Sequence, residues 1–323
     1  VLIQQGRFDE AERYSRDAIA NFRLTGNRLY EASALSRLST VLSHQGRLDE
    51  AEETQQLALA MRSELGSDVG RMSSFVNLAA LAAERGNLTR ARQYAEQGHD
   101  IAIDIEDRLG IAMSLAAIAD ADRRLGAAAA AVEGFSAAAA IYADLGDMAG
   151  EFAALRGVAR SRLAAGDPDG ARAVADELLA IAVERNRRHD EARALALLGD
   201  IQAAGRRPDD AIESYGRARA IAAELDDRGL EAEAVEGLAR AYLEFAQPVD
   251  AEPLVMRLAE LRPASADAAR LAAQLAFLEG DVVRAVAEME RAREGAGETW
   301  SQEDAARLAQ YRNMGSDPGK LMK

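Results

Sequence analysis

Alanines stand at positions 11, 51, 91, 131, 171, 211 and 251, each 40 residues from the next. A register held through seven positions marks a tandem array. A repeat of this length is one supersecondary unit, too small to bury its apolar face except against a neighbouring copy. The register extends beyond alanine. Gly6, Gly46, Gly86, Gly126 and Gly166 each precede one of these alanines by five residues. In the sixth unit Gly205 comes six before Ala211, and in the seventh Ala246 holds the glycine's place. A second break recurs at Gly26-Asn27, Gly66-Ser67, Glu106-Asp107, Gly146-Asp147, Asn186-Arg187 and Asp226-Asp227. Two breaks per unit, with helix-permissive runs between them, give two helices per unit.

The runs carry helical periodicity. Phe75, Leu78 and Leu81 recur at i, i+3 and i+6, and Leu195, Leu198 and Ile201 repeat the geometry. Such spacing lays one apolar stripe along an amphipathic helix. No segment alternates with period two, so almost no strand is expected. Asp9, Asp49, Thr89, Asp169 and Asp209 stand where the second helix of each unit starts and are read as its N-caps. Pro168 and Pro208 fit the first helical position. In the seventh unit Pro253 follows Pro248 closely, which predicts a late helix start capped by Asp250. Gly280 and Ala285 place an eighth unit 34 residues after the seventh.

These features together resemble the tetratricopeptide repeat family. The pattern is carried by Gln45-Gly46-Arg47-Leu48-Asp49-Glu50-Ala51, by Asn77-Leu78-Ala79 and Leu198-Gly199 in first helices, and by Pro263. The 40-residue unit is similar to the longer variant in kinesin light chains and in helical sensor regions of bacterial signalling proteins. The resemblance implies an all-α solenoid, a right-handed superhelix of antiparallel helix pairs. It extends over residues 1–293 in about eight units. The usual aromatic positions are mostly small residues here. Residues 298–313, with Trp300 and a Ser301/Asp304 capping arrangement, are expected to close the array as a C-terminal helix. Residues 314–323 are expected to be an irregular tail. Val1 to Gln5 align with the end of a first helix, so the chain is expected to begin within a repeat.

Composition narrows the function. The net charge of −15 argues against a basic stripe for nucleic acid. The sequence reads as lacking an apolar run of about 18 residues, so no transmembrane helix and no membrane partner are expected. Cysteine is absent, which removes thiolate metal sites and fits a reducing, cytoplasmic setting. His44, His99 and His189 lie in different units without metal-ligand spacing. There is no phosphate-binding loop and no nucleophile elbow. No cofactor and no catalytic residues are expected, and nothing indicates a homo-oligomer.

Stepping 40 residues along the first helices gives Thr40, Ala80, Asp120, Arg160, Asp200 and Arg240. The family resemblance implies that this position faces a concave groove, with Asn77, Arg123, Arg124, Arg156 and Glu236 nearby. The alternating charges read either as an inter-repeat ion-pair ladder or as a groove for an extended peptide or acidic motif. Asn77 resembles an asparagine that some family members use on a peptide backbone, with Arg37 the one available assistant. Asp122 and Arg162, also 40 apart, are expected to pair at a unit boundary. The function implied is a non-catalytic scaffold for a peptide or protein partner. Two alternatives stand beside it: a sensing arm of a larger bacterial signalling or transcription protein, and a substrate-recruiting arm of an enzyme.

Overall fold

The computed structural model describes residues 2–3, 6–263 and 265–315. Among these the regular structure is entirely helical: α1 (Phe8–Leu24), α2 (Arg28–His44), α3 (Leu48–Glu64), α4 (Asp68–Glu84), α5 (Leu88–Asp104), α6 (Arg108–Arg124), α7 (Ala128–Leu145) and α8 (Met148–Ala164). These are followed by α9 (Pro168–Glu184), α10 (Arg188–Ala204), α11 (Pro208–Glu224), α12 (Arg228–Glu244), α13 (Pro248–Leu261), α14 (Ala266–Leu278), α15 (Val282–Ala296) and α16 (Gln302–Gly315). The chain divides into two compact units, Val1–Val174 and Ala175–Lys323, with the boundary inside α9. In the first, α1 to α8 pack each against the next, and the even helices also touch in succession, α2 on α4, α4 on α6 and α6 on α8. In the second, α10 to α16 pack in the same manner, with α10 on α12 and α12 on α14. Each unit thus has an inner layer of even helices backed by an outer layer of odd ones, the architecture of a tetratricopeptide-type α-solenoid.

The turn chemistry explains the even spacing. Positive φ recurs every 20 residues from Gly6 to Ala246, including Glu106, Asn186, Arg206, Asp226 and Ala246 where glycine is lacking. In the sixth repeat the left-handed residue is Arg206, and Gly205 before it is right-handed at φ −78°. The chain keeps the register and lets the glycine slip. The repeating alanines are sealed in the helix contacts: Ala51, Ala131, Ala171, Ala211 and Ala251 are all 0% exposed. At one of them the Ser39 hydroxyl donates to the Ala51 carbonyl at 2.7 Å, a close approach that a longer side chain would push apart.

Several sequence expectations are corrected. The proposed caps Asp9, Asp49 and Asp209 lie inside the first helical turn, behind Arg7, Arg47 and Arg207. There they favour the helix through its dipole, with no capping bond. Side-chain caps appear on other helices, from Asn27, Asp147, Asp227, Ser265 and Asp281. Helix α13 starts at Pro248 and carries Pro253 within it. Pro253 removes only the hydrogen bond to the Val249 carbonyl, and Val249 is 82% exposed, so water takes that acceptor. Asp122 pairs with Arg92 of α5 at 2.8 Å, while Arg162 donates to the Gly170 carbonyl at 3.5 Å. The antiparallel neighbour helix comes closer than the equivalent residue one repeat away. Helix α7 is also apolar enough, at 18 residues and mean hydropathy 1.2, to meet the length and composition of a membrane span. Its alanines add up where no large apolar run catches the eye. It packs between α6 and α8 through Ala131, Phe135, Ala138, Ala139 and Tyr142.

At the C-terminal end, Trp300 packs on the cluster of Ala273, Ala276, Met289, Leu308 and Tyr311. Ser301 and Asp304 cap α16 reciprocally, each backbone N–H bonding the other's side chain at 3.0 Å. Helix α16 runs through Met314 and Gly315, and the remainder of the expected tail, 316–323, lies outside the described residues. Of Val1 to Gln5, only Leu2 and Ile3 are described.

Candidate interaction surface

The residues singled out from the sequence lie on the even helices. Asn77 is on α4, Asp120, Arg123 and Arg124 on α6, and Arg156 and Arg160 on α8. Asp200 is on α10, and Glu236 and Arg240 are on α12. The two units use these charges differently.

In the second unit the charges satisfy one another. Asp200 accepts the Tyr215 hydroxyl at 2.7 Å and lies 4.0 Å from Arg240, one rung of the 40-residue ladder. Glu236 accepts from Arg240 at 2.6 Å and from Arg262, just after α13, at 2.9 Å. Burial pushes the Glu236 carboxyl above its ordinary pKa, and the two arginines pull against that without overcoming it. Burial works against the Arg240 charge, but Glu236 and Asp200 outweigh it and hold its pKa up. The Tyr215 phenol is pushed far up by burial first and by Asp200 second. A ligand here would have to compete with a closed network.

In the first unit the charges on α6 and α8 are engaged too, and the difference lies on α2 and α4. Asp120 meets Arg123 at 2.7 Å and Arg124 at 4.0 Å, two arginines to one carboxylate on the same helix. Arg156 and Arg160 are half-buried on α8, and each is engaged by a neighbour. Asn77 is half-buried, and its side chain has no hydrogen bond among the described residues. Arg37, exposed on α2, has neither an ion pair nor a hydrogen bond among them.

Two buried polar groups, on α2 and α3, were not singled out from the sequence. Gln55 of α3 is 0% exposed, and both its amide nitrogen and its amide oxygen lack a partner. The Ser36 hydroxyl, on α2, is likewise buried and unpaired. Register shows what the Gln55 position does. It corresponds to Tyr215, whose ring fills the space left by Gly199 and Gly237, where a Cβ would lie 2.6 and 2.2 Å from ring atoms. Tyr215 therefore threads between α10 and α12 to reach Asp200 on the inner layer. In the same register Ser39, Thr40 and Asn77 are the counterparts of Gly199, Asp200 and Gly237. The available signal was one amide in a series whose other members are Ser15, Ala95, Phe135, Ala175, Tyr215 and Val255.

The three histidines have local roles. His44 stacks on Phe8 with ring centroids 6.0 Å apart, His99 Nδ1 and the Ser114 hydroxyl are 2.9 Å apart, and His189 Nε2 lies 3.6 Å from Asp227.

Residues 1–64 match the family model for the tetratricopeptide repeat. No curated protein sequence matches the chain. Among solved structures, a Rap protein in complex with competence and sporulation factor is 15% identical, with TM-score 0.62 over 99% of this chain and 95% of that one. A tetratricopeptide repeat protein from Parabacteroides merdae is 15% identical, with TM-score 0.52 over 87% of this chain and 98% of that one. Yeast Tom70 is 15% identical, with TM-score 0.56 over 96% of this chain and 59% of that one. At these identities the likeness is one of fold. Repeat register, helix-pair packing, the family match over residues 1–64 and the fold neighbours agree on the fold of this chain, a tetratricopeptide-type α-solenoid.

Proposed function

We propose that the chain is a non-catalytic scaffold that holds a peptide or protein partner against its inner layer of even helices, chiefly in the first unit. The observation that carries this reading is the contrast between the two inner faces. In the second unit Asp200, Tyr215, Glu236, Arg240 and Arg262 bond to one another. In the first, Arg37 and Asn77 have no side-chain hydrogen bond among the described residues. Stacked helices hold such groups in fixed positions, so a partner binds without a large ordering cost in the scaffold. A fold of this kind generally works as an interaction scaffold, and the Rap protein with its bound factor is one case among the neighbours.

Panning a displayed library of random extended peptides on the intact chain tests the reading. The selected peptides are then measured on Asn77→Ala, on an Arg123/Arg156/Arg160 triple alanine variant, and on an outer-layer control, Glu53→Ala with Gln97→Ala. Loss of roughly tenfold in affinity on the inner-face variants alone is the expected result. Equal binding to all of them would place the partner elsewhere and end the reading.

A further inference from the structure

We infer that the edge of the first unit formed by its odd-to-even helix joints docks a basic amphipathic helix of a partner protein. Asp68 and Asp104 take a lysine or arginine of that helix, and Leu65, Val69, Leu109 and Leu145 take its aliphatic side chains. This surface is separate from the inner layer, and the inference does not depend on the scaffold reading.

The apolar part forms a row. Leu65 follows the last turn of α3, Val69 and Leu109 lie in the first turns of α4 and α6, and Leu145 ends α7. All of these side chains belong to residues between 41% and 58% exposed. Consecutive helices pack antiparallel, so every odd-to-even joint lies on one edge of the stack, and the repeat lines these residues up along it. Singly scattered exposed leucines need no explanation, whereas an aligned row marks a contact surface. The fold does not require the row. In the second unit the register counterparts of Leu65 are Arg185 and Leu225, and those of Val69 are His189 and Gly229. The same joints form there with polar, charged or absent side chains.

The charges select the partner. Elsewhere on this edge an arginine opening an even helix meets a carboxylate ending the next odd helix: Arg28 with Glu64, Arg108 with Asp144 and Arg188 with Glu224. Between the first two pairs the corresponding residues are Asp68 and Asp104, so an acid stands in the arginine's place. Asp68 turns to Arg71 of its own helix at 2.7 Å. Asp104 has neither an ion pair nor a hydrogen bond among the described residues. Helices α4 and α5 pack on each other, so the start of one and the end of the other share the edge. This break in the ion-pair series falls inside the apolar row, between the joint of Leu65 and Val69 and the joint of Leu109. A partner's ammonium or guanidinium supplies the cation that the series lacks there.

Spacing points to a helix. Helices α4, α6 and α8 touch in succession, which separates neighbouring joints by one interaxial distance of about 10 Å. Residues seven apart on a helix are separated by about 10.5 Å along its axis. Leucines at every seventh position therefore meet successive joints, and a lysine midway meets the acidic break.

Fluorescent helical peptides, acetylated and amidated, test this on the intact chain. The first carries leucine at every seventh position with lysine midway. The second has glutamate in place of lysine, and the third has the first one's composition with its leucines scattered. The lysine peptide is expected to bind best and to weaken with added salt. Asp68→Arg gives this joint the arrangement of Arg28 with Glu64. It is expected to keep or raise the thermal midpoint while lowering affinity roughly tenfold, a split that a residue shaping only the joint would not give. Leu65→Arg, which copies Arg185, is expected to lower affinity by a similar factor, with circular dichroism showing that the variant is folded. The Arg123/Arg156/Arg160 triple alanine variant is expected to bind the lysine peptide as wild type does. The inference is overturned by any of four results: no binding of the lysine peptide, equal binding of either control peptide, wild-type affinity on Asp68→Arg or Leu65→Arg, or loss of binding on the inner-face variant. The panned inner-face peptides are measured separately, so the scaffold reading stands or falls on its own.

Discussion

At the residue scale, the fold is tuned by size complementarity between helices that share one backbone plan. Tyr215, Phe135 and Gln55 occupy one register position, and what surrounds each is adjusted to it. Phe135 fills the space beside Gly157, where a Cβ would come within 2.5 Å of its ring, and Tyr142 does the same beside Gly150 at 2.3 Å. The sharpest case is Gly237, where a Cβ would lie 2.2 Å from the Tyr215 ring. Gly237→Ala is expected to destabilise the chain by about 1–3 kcal/mol, because the ring is held by its bond to Asp200 and cannot retreat freely. In a Tyr215→Val background the same substitution is expected to cost much less. Urea unfolding of the two single variants and the double variant measures the coupling, and equal costs in both backgrounds would remove the ring contact as the cause. Arg62 is another local adjustment. It is buried, and its guanidinium bonds only neutral acceptors, Ser74 Oγ at 2.7 Å and the Gly70 carbonyl at 3.2 Å. Burial lowers its pKa accordingly.

At the element scale, the joints hold the array in register. Helices α1 to α12 each end in a left-handed residue, and the chain meets that demand with glycine at most joints and with Glu106, Asn186, Arg206, Asp226 or Ala246 at the others. A side chain in the left-handed region costs about 1–2 kcal/mol relative to the right-handed one, a cost glycine avoids. Ala246, at φ 55° between α12 and α13, has no polar side chain to offset it. Ala246→Gly is therefore expected to stabilise the chain by about 0.5–1 kcal/mol, the greater freedom of glycine in the unfolded state cancelling part of the gain. A chemical denaturation midpoint that stays the same or falls would mean that the joint is not strained. Surface ion pairs repeat at this scale too. Arg28 with Glu64 at 2.6 Å and Arg108 with Asp144 at 2.8 Å tie equivalent places 80 residues apart, and Arg188 with Glu224 continues the series. All are solvent-facing, and exposed pairs contribute roughly 0–1 kcal/mol each. They mark the repeat more than they stabilise it.

At the scale of the whole molecule, stability is a sum of repeats and the contacts between nearest neighbours. Such an array is weakest where a neighbour is missing. In the second unit the last repeat is covered by α16, whose Leu308 and Tyr311 join Phe277, Met289 and Trp300 in one cluster, with the Phe277 and Tyr311 rings stacked at 4.6 Å. Arg270 ties the cap back through Asp304 at 3.1 Å and the Thr299 carbonyl at 3.0 Å. Removing residues 298–323 is expected to lower amide-exchange protection in α15 and α14 most, with the loss fading toward α12. Unchanged protection in α14 and α15 would show that α16 is not a structural cap.

The sequence by itself determined the repeat, the two helices per unit, the left-handed joints, the alanine contacts and the capping of α16. These are local requirements: a positive φ, a first-turn proline and a 3.6-residue stripe are each written in the residues that satisfy them. It also put Asn77, Asp120, Arg123, Arg124, Arg156, Arg160, Asp200, Glu236 and Arg240 on one set of helices, because a fixed period carries a position from repeat to repeat. Which of those charges were already engaged was not legible. A 40-residue step names equivalent residues, whereas ion pairs form between side chains that meet across antiparallel helices, as Asp122 does with Arg92. The tertiary structure alone decided that Asp200, Glu236 and Arg240 close on Tyr215 and Arg262, and that Asn77 and the buried Gln55 amide find no partner among the described residues. Burial and pairing depend on what lies across the contact, and periodicity along the chain carries no record of that.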